Sequence, residues 1–499
     1  MLRVHLKAQD LEKRSSYWLF IERKLLLGLL FVLTIAVATW FFWKGSKKTL
    51  TPPNKSNVLG IYQGYGIGIQ TADLDYPTAF EELAPQFVRM ELGPDWNLIP
   101  EKIAPGKTVE EYLSFIQENY NADYPNRTYQ AQRAFRYLNQ KNTKIVLTIF
   151  DLPNQWIAEK RPNKIFPPHV EDLARFHTAH LLHLKNLGIK IDYIELANEP
   201  DGWWCGQIPP SDYAHLVERS HHHFQAHGLS QTKILGPGLT LIHSELNTKP
   251  HFDAIEQNGH EYLFGWSTHG WDEGICENAR PEYLYNRWKR PFLESIRTIE
   301  PARKKPIFVT EYGCKVTQIG GQSWRSPMKY KTDTFVDTWE YAVRVIAHSI
   351  SHLNNGANAL ILYRLSDSDW NKSGWGFVVP QENGQYRKKP VYDAVKETLK
   401  TLPAGGLILA PKWYVHDEPI TLSIIHREEE QSYHILASNF TTRQQKKVIR
   451  MSKKIDNLNV TQETILIESG PVNQTGIEVS PGQLTLSLPA QSVARFTLE

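Results

Sequence analysis

Cysteine is scarce, charge is balanced and nucleotide-binding loops are missing, and each shortage removes a class of protein. Three cysteines in 499 residues, Cys205, Cys276 and Cys314, cannot staple a small disulfide-rich domain, and their spacing is not that of a metal-ligand set. Each follows the end of a strand-like run, and of three cysteines at most one pair can bridge. Cys205 with Cys276 is the candidate, against three free buried thiols. With 56 Lys and Arg against 53 Asp and Glu, the net charge of +3 leaves no footprint for nucleic acid. No GxGxxG opens a helix and no GxxxxGK[ST] occurs, which argues against a nucleotide fold. No metal or organic cofactor is implied, and the expected partner is small or uncharged.

What the chain has is length and aromatic side chains. Its size suits a barrel of ~250 or more residues with a smaller domain attached. The 15 Trp and 22 Tyr are side chains that fill cores and that carbohydrate sites use as stacking platforms. One run, residues 25–43 (LLLGLLFVLTIAVATWFFW), carries no charge and is long enough to cross a bilayer core of ~30 Å. Its aromatic end, followed by Lys44, Lys47 and Lys48, has the composition of an interfacial belt. The run predicts an uncleaved transmembrane anchor, the alternative being a signal peptide cut after Ala36-Val37-Ala38. Residues 1–24 would then be cytoplasmic and 44–57 a linker, with the folded part tethered on the extracytoplasmic side, periplasmic or extracellular.

From 58 to 402, strand-like runs alternate with amphipathic stretches. Eight strands are predicted: Ile61–Gln70, Phe87–Leu92, Lys144–Phe150, Ile191–Ala197, Lys233–Leu239, Tyr262–Thr268, Ile307–Thr310 and Ala359–Arg364. Helices are predicted at Val170–Leu187, with an apolar stripe of Leu173, Phe176, Leu181 and Leu184, and at Asp333–Leu353. Eight such repeats predict an α/β fold, a TIM (β/α)8 barrel. Residues 403–499 change to short alternating strands, the pattern of an antiparallel β-sandwich, read as a packing module for the barrel.

Chemistry in such a barrel sits at the C-terminal strand ends. The stretch IDYIELANEPDGWWCG, 191–206, leaves Asn198 and Glu199 there, with Trp203 and Trp204 just after. Other strand ends carry Arg89, Asp151, His269 with Trp271 behind it, Glu311, and Trp370 or Trp375. Glutamates facing each other from strands four and seven are the pair that retaining glycoside hydrolysis uses, with carboxyl groups ~5–5.5 Å apart. Glu311 beside Arg89 is predicted to have a lowered pKa, and Glu199 among tryptophans a raised one. The plain alternatives are a surface turn for Glu199, an ion pair with Glu91 for Arg89, and a core histidine for His269. His221-His222-His223 reads as a solvated helix, not a metal site.

The Asn-Glu-Pro on strand four, the Glu of IFVTEYG on strand seven and the Arg of FVRMEL on strand two resemble the clan A glycoside hydrolases, closest in organisation to families 39, 30 and 5. The resemblance covers roughly residues 58–402, and the appended sandwich is similar to that of families 30 and 39. It implies retaining chemistry on a β-linked poly- or oligosaccharide. Glu311 would be the nucleophile, Glu199 the acid/base, Asn198 the partner of the sugar 2-hydroxyl and Arg89 the cation beside the nucleophile. His269, Trp271, Trp203 and Trp370 would be further substrate contacts. One departure is that His269 and Trp271 share the strand-six position where the clan commonly has a single Tyr or His. The competing readings are a catalytically silent, membrane-anchored glycan-binding protein and a transglycosylase using the same pair.

Overall fold

The computed structural model of the chain describes residues 58–499 apart from 76, 93–103, 123–124, 150–168, 203–207, 241–248, 272–275, 277–303, 315–317, 320–321, 324–333, 368–373, 382–384, 410–419, 451–457 and 474. The apolar run at 25–43 therefore lies outside the described residues, as do Asp151, Trp203, Trp204, Cys205 and Trp370. Among the described residues no helix is long and apolar enough to cross a membrane.

Eight parallel strands close into a barrel. They are β1 (Gly64–Ile69), β2 (Phe87–Leu92), β3 (Lys144–Ile149), β4 (Tyr193–Glu195), β5 (Lys233–Leu239), β6 (Gly265–Gly270), β7 (Ile307–Tyr312) and β8 (Ala359–Leu362). The strands β2 and β5 have the predicted bounds. The run Tyr262–Thr268 reads as strand because of its aromatics, but His260–Tyr262 forms a 3-10 turn and β6 starts only at Gly265. Outside the barrel lie α1 (Thr78–Leu83), α2 (Val109–Ala122), α3 (Pro125–Gln140), α4 (Val170–Asn186), α5 (Pro210–Ala226), α6 (Lys249–Asn258), α7 (Trp339–Asn354) and α8 (Pro390–Glu397). The predicted stripe of α4, Leu173, Phe176, Leu181 and Leu184, is buried. The histidine triplet lies on α5, where His223 meets Glu171 at 2.8 Å.

The chain ends in two antiparallel sheets. The larger includes β9 (Leu407–Leu409), β10 (Ile420–Arg427), β11 (Ser432–Asn439), β13 (Val460–Ile467) and β16 (Ser492–Leu498). The smaller joins β12 (Gln445–Arg450), β14 (Ile477–Ser480) and β15 (Gln483–Leu488). Their facing apolar residues, among them Ile435, Ile449, Leu484, Leu486 and Phe496, form a core of their own. The segment Val58–Ile61 pairs with β9 and so belongs to the larger sheet, not to the barrel. Helix α7 fills the space between barrel and sandwich. Thr338 caps its start by accepting from the Tyr341 N–H, and every residue from Tyr341 to Asn354 is buried. Its Asn354 amide donates to the Leu422 carbonyl at 3.0 Å, and Ser438 donates to the Val343 carbonyl at 3.1 Å.

The disulfide is not the one expected. Cys276 is bonded to Cys314, with Cα atoms 5.3 Å apart, so the pairing with Cys205 does not form. The two half-cystines follow β6 and β7, which are neighbours in the sheet, and adjacency in the barrel decided the pairing.

Among the described residues six histidines are buried in the helices, His177, His180 and His183 on α4, His251 on α6, and His348 and His352 on α7. Burial pushes His177, His180 and His348 down to about 3 and His251 down to about 4, and it holds His352 far below its ordinary value, with His348 adding to the shift. Because the folded pKa is depressed, the neutral ring's contribution is fully present above the unfolded pKa of ~6.5 and is lost as pH falls below it. Urea midpoints should therefore drop between pH 7.5 and pH 5, corresponding to a loss of unfolding free energy of up to about 2 kcal/mol for each such histidine at the lower pH. His177→Leu should flatten the dependence. A midpoint that does not move with pH would show that these rings are not held neutral in the fold.

Candidate active site

The barrel interior changes from apolar to charged along its axis. At the base, Phe87, Val146, Tyr193, Leu235, Phe308, Ala359 and Ile361 form one apolar layer. One inward position further along each strand stand Arg89 on β2, Thr148 on β3, Glu195 on β4 and Thr310 on β7, all buried. Above them, at the C-terminal ends, are Glu91, Asn198, Glu199, His269 and Glu311.

Arg89 joins the upper two layers. Its Nη1 donates to Glu311 Oε2 at 2.6 Å and to Glu91 Oε1 at 2.9 Å, its Nε to Glu195 Oε2 at 3.3 Å, and its Nη2 to Asn198 Oδ1 at 2.5 Å. The expected neighbours Glu311 and Asn198 are thus brought to it, and the Glu91 ion pair weighed as the plain alternative exists as well. Because Asn198 turns its oxygen to Arg89, its amide nitrogen points away from the guanidinium. Glu195, the deepest of these acids, also accepts from Thr148 at 2.8 Å and Thr310 at 2.7 Å. Gly238, with φ +63, lets β5 pass over this carboxylate, since a Cβ there would lie 3.0 Å from Glu195 Oε1. Burial works to raise Glu195, but Arg89, His269 and the Thr310 hydroxyl outweigh it and hold the carboxyl low.

A bulge aims Glu311. On β6, Thr268 pairs with Val309 and His269 with Glu311; on β8, Leu360 pairs with Val309 and Leu362 with Tyr312. Strand β7 therefore carries one more residue than either neighbour around Thr310, and consecutive side chains, Thr310 and Glu311, both reach inward groups. Glu311 Oε1 accepts from the Trp271 indole N–H at 2.7 Å. Trp271 is buried, with its ring edge-on to Tyr363 at 5.3 Å and to Trp375 at 5.0 Å.

Glu199 sits in the turn after β4. The Asn198 N–H donates to the Ile149 carbonyl at 2.8 Å, and Glu199 takes φ +43, the left-handed region that costs a non-glycine residue on the order of 1 kcal/mol. His269 Nδ1 lies 2.9 Å from Glu199 Oε1 and 3.9 Å from Glu311 Oε2. Burial alone would depress His269, but the Glu311 and Glu199 carboxylates outweigh it and raise its pKa. Asp201, at the end of the same turn, accepts from the Thr240 N–H at 3.1 Å and is pushed up to about 7 by burial, with Glu199 adding to the shift.

The expected depression of Glu311 is not found. Burial raises it, Arg89 and His269 act against that rise, and Glu199 and Glu91 add to it. Burial is the largest cause and prevails, the one guanidinium charge being divided among Glu91, Glu195 and Glu311. Donor atoms of Glu199, His269 and Glu311 lie within 4.8 Å of one another. A cation there would compete with Arg89 and Trp271 for Glu311, so the arrangement is better suited to moving protons than to holding a metal.

Glu195 escaped the sequence reading although it stands in the quoted stretch. Its signal is a carboxylate within the apolar run YIELA, two residues past the inward Tyr193, where burial calls for a cation or several hydrogen-bond donors.

This architecture, a closed parallel barrel with a C-terminal sandwich, is that of glycoside hydrolases of known structure, and the likeness is one of fold. The catalytic domain of family 30 xylanase C from Talaromyces cellulolyticus superposes with a TM-score of 0.61 at 12% identity, covering 91% of this chain and 100% of that one. AbfB, a family 51 α-L-arabinofuranosidase from Bifidobacterium longum, gives 0.61 at 13% identity, over 91% and 99%. A family 39 glycoside hydrolase from Bacteroides cellulosilyticus WH2 gives 0.57 at 15% identity, over 90% and 83%. No family model and no curated protein sequence matches the chain.

Removing Arg89 leaves Glu91, Glu195 and Glu311 without their shared cation. Arg89→Met should cost about 3–5 kcal/mol in unfolding free energy, and adding Glu195→Gln should restore part of the loss. Additive losses in the double variant would show that the two residues do not act on each other.

Proposed function

We propose that the chain is a retaining glycoside hydrolase acting on a β-linked poly- or oligosaccharide, with Glu311 as nucleophile and Glu199 as acid/base. The observation that carries this reading is that an oxygen of Glu199 and one of Glu311 lie within 4.8 Å, with His269 between them. Retaining pairs stand ~5–5.5 Å apart and inverting pairs ~6.5–9.5 Å, the latter leaving room for a water. The likeness in fold to proteins named xylanase and glycoside hydrolase supports the chemistry. An α-L-arabinofuranosidase has the same fold, so product analysis has to decide the linkage.

In the first step Glu311 attacks the anomeric carbon while Glu199 gives its proton to the departing glycosidic oxygen. The bond to that oxygen breaks and a glycosyl ester to Glu311 forms. Arg89 and the Trp271 N–H hold Glu311 as the anion that can attack. Esterification removes the Glu311 charge, and the guanidinium is left to its other carboxylates; Glu199 as an anion then takes a proton from water attacking the anomeric carbon, the bond from that carbon to Glu311 breaks and the free carboxylate is restored. The amide nitrogen of Asn198, turned away from Arg89, suits a sugar hydroxyl. The apolar run at 25–43 would tether the barrel outside the cytoplasm.

Glu311→Gln should abolish turnover while leaving the denaturation midpoint within about 1 kcal/mol; full activity in that variant would sink the assignment. Glu199→Ala should lose roughly 10²–10⁴-fold on unactivated glycosides, much less on aryl glycosides with good leaving groups, and should be rescued by azide. Equal loss on both substrates without rescue would remove Glu199 from the acid role. Because burial raises Glu311, the acid limb of kcat/KM, where activity falls as the nucleophile is protonated, should lie above the ~4.3 of an unperturbed glutamate. A limb below that value would mean that Arg89 outweighs burial.

A further inference from the structure

Trp271 is held between two segments that a covalent bond joins. Its indole N–H donates to Glu311 Oε1 at 2.7 Å, and its ring lies on Gly313, where an added Cβ would meet Trp271 Cζ3 at 2.9 Å. Five residues past Trp271 is Cys276, and three past Glu311 is Cys314, and these two are the disulfide. Cys276 is in turn fixed to α7, because Arg344 Nη1 donates to its carbonyl at 2.7 Å while Nε and Nη2 bind Glu340 at 3.0 and 2.7 Å. The bond therefore closes a ring that contains Trp271, its hydrogen bond to Glu311 and the chain leaving β7, and it ties that ring to a buried helix.

We propose that the Cys276–Cys314 disulfide is a positioning pair for the nucleophile: it keeps the Trp271 N–H on Glu311, and opening it slows turnover through that carboxylate and not through the fold. The proposal rests on the reading of Glu311 as nucleophile. Registration at this level matters because a donor displaced by about 1 Å no longer makes a hydrogen bond to the anion. Without that donor the Glu311 anion loses one of its two close stabilising contacts, Arg89 being the other. Glu311 is held in β7, but Trp271 lies just past the end of the neighbouring β6, where the ladder no longer fixes it.

The test uses the full chain with the bond closed, with the bond opened by dithiothreitol, and as Cys276→Ala/Cys314→Ala. Dithiothreitol delivers two electrons and two protons to the S–S bond, becoming a cyclic disulfide and leaving two thiols. Turnover is followed on aryl glycosides across pH. Separately, Glu311 is titrated by the pH dependence of its modification with a water-soluble carbodiimide, which takes only the protonated carboxyl, read by peptide mass spectrometry. Opening the bond should lower kcat/KM roughly tenfold, as loss of one hydrogen bond to a charged group does, and should move both the acid limb and the Glu311 titration upward by about one pH unit. Trp271→Phe should reproduce the shift, and adding the cysteine changes to it should move the limb no further. If only the thermal midpoint falls while both titrations stay in place, the bond is a structural staple and the proposal is overturned. Three reactive thiols in the unreduced, unfolded chain in place of one would overturn it too. A Glu311 titration that shifts in a protein with no turnover on any glycoside would retain the clamp and overturn the hydrolase reading.

Discussion

One buried guanidinium organises this barrel. Arg89 meets three carboxylates and an amide, from β2, β4, β7 and the turn after β4; His269, near Glu199 and Glu311, and Arg364, which acts on Glu91, also bear on the acids of this mouth. A carboxylate as deep as Glu195 has no water to solvate it, and the partner that makes it tolerable is the same one that faces Glu311. The apolar base, the hydroxyl-lined middle and the acidic mouth of the barrel follow from this. Thr148 and Thr310 occupy the lone pairs of Glu195 that Arg89 leaves, and the mouth can then gather acids without each one needing its own cation.

The arrangement separates the two glutamates by surroundings. Glu311 lies on a strand, between a guanidinium and an indole N–H; Glu199 lies in a strained turn, facing an imidazole, with Asp201, pushed up to about 7 by burial, at the end of the same turn. His269 touches one and approaches the other, so a change of charge on either is felt by both.

Much of this was legible in the chain. Strand–helix alternation is a repeated signal, and eight repeats leave few architectures open. Asn198, Glu199, His269, Trp271 and Glu311 stand out in the sequence as polar or aromatic residues at or just past the ends of apolar runs, whereas Arg89 stands out as a cation inside one, midway along β2 and not at its end. What stayed hidden depends on which strands are neighbours and in what register. Period-two alternation cannot place Thr310 and Glu311 on the same side; only the extra residue in β7 does. The Cys276–Cys314 pairing needs the adjacency of β6 and β7. The upward shift of Glu311 needs the knowledge that its arginine is shared.

The short pairing of Val58–Ile61 with β9 has a consequence for how the molecule is made. Val58 meets Leu409, so the first described strand waits for about 350 residues of intervening chain before its partner exists. In chain order the whole barrel is an insertion between two strands of one sheet. During synthesis the barrel can close while the sandwich still lacks β9, β10, β11 and β16, and the outer face of α7 stays bare until they arrive. A ribosome-stalled chain ending before residue 403 would carry a finished mouth on an unfinished molecule, with an unpaired leading strand and an uncovered helix as its points of capture by chaperones.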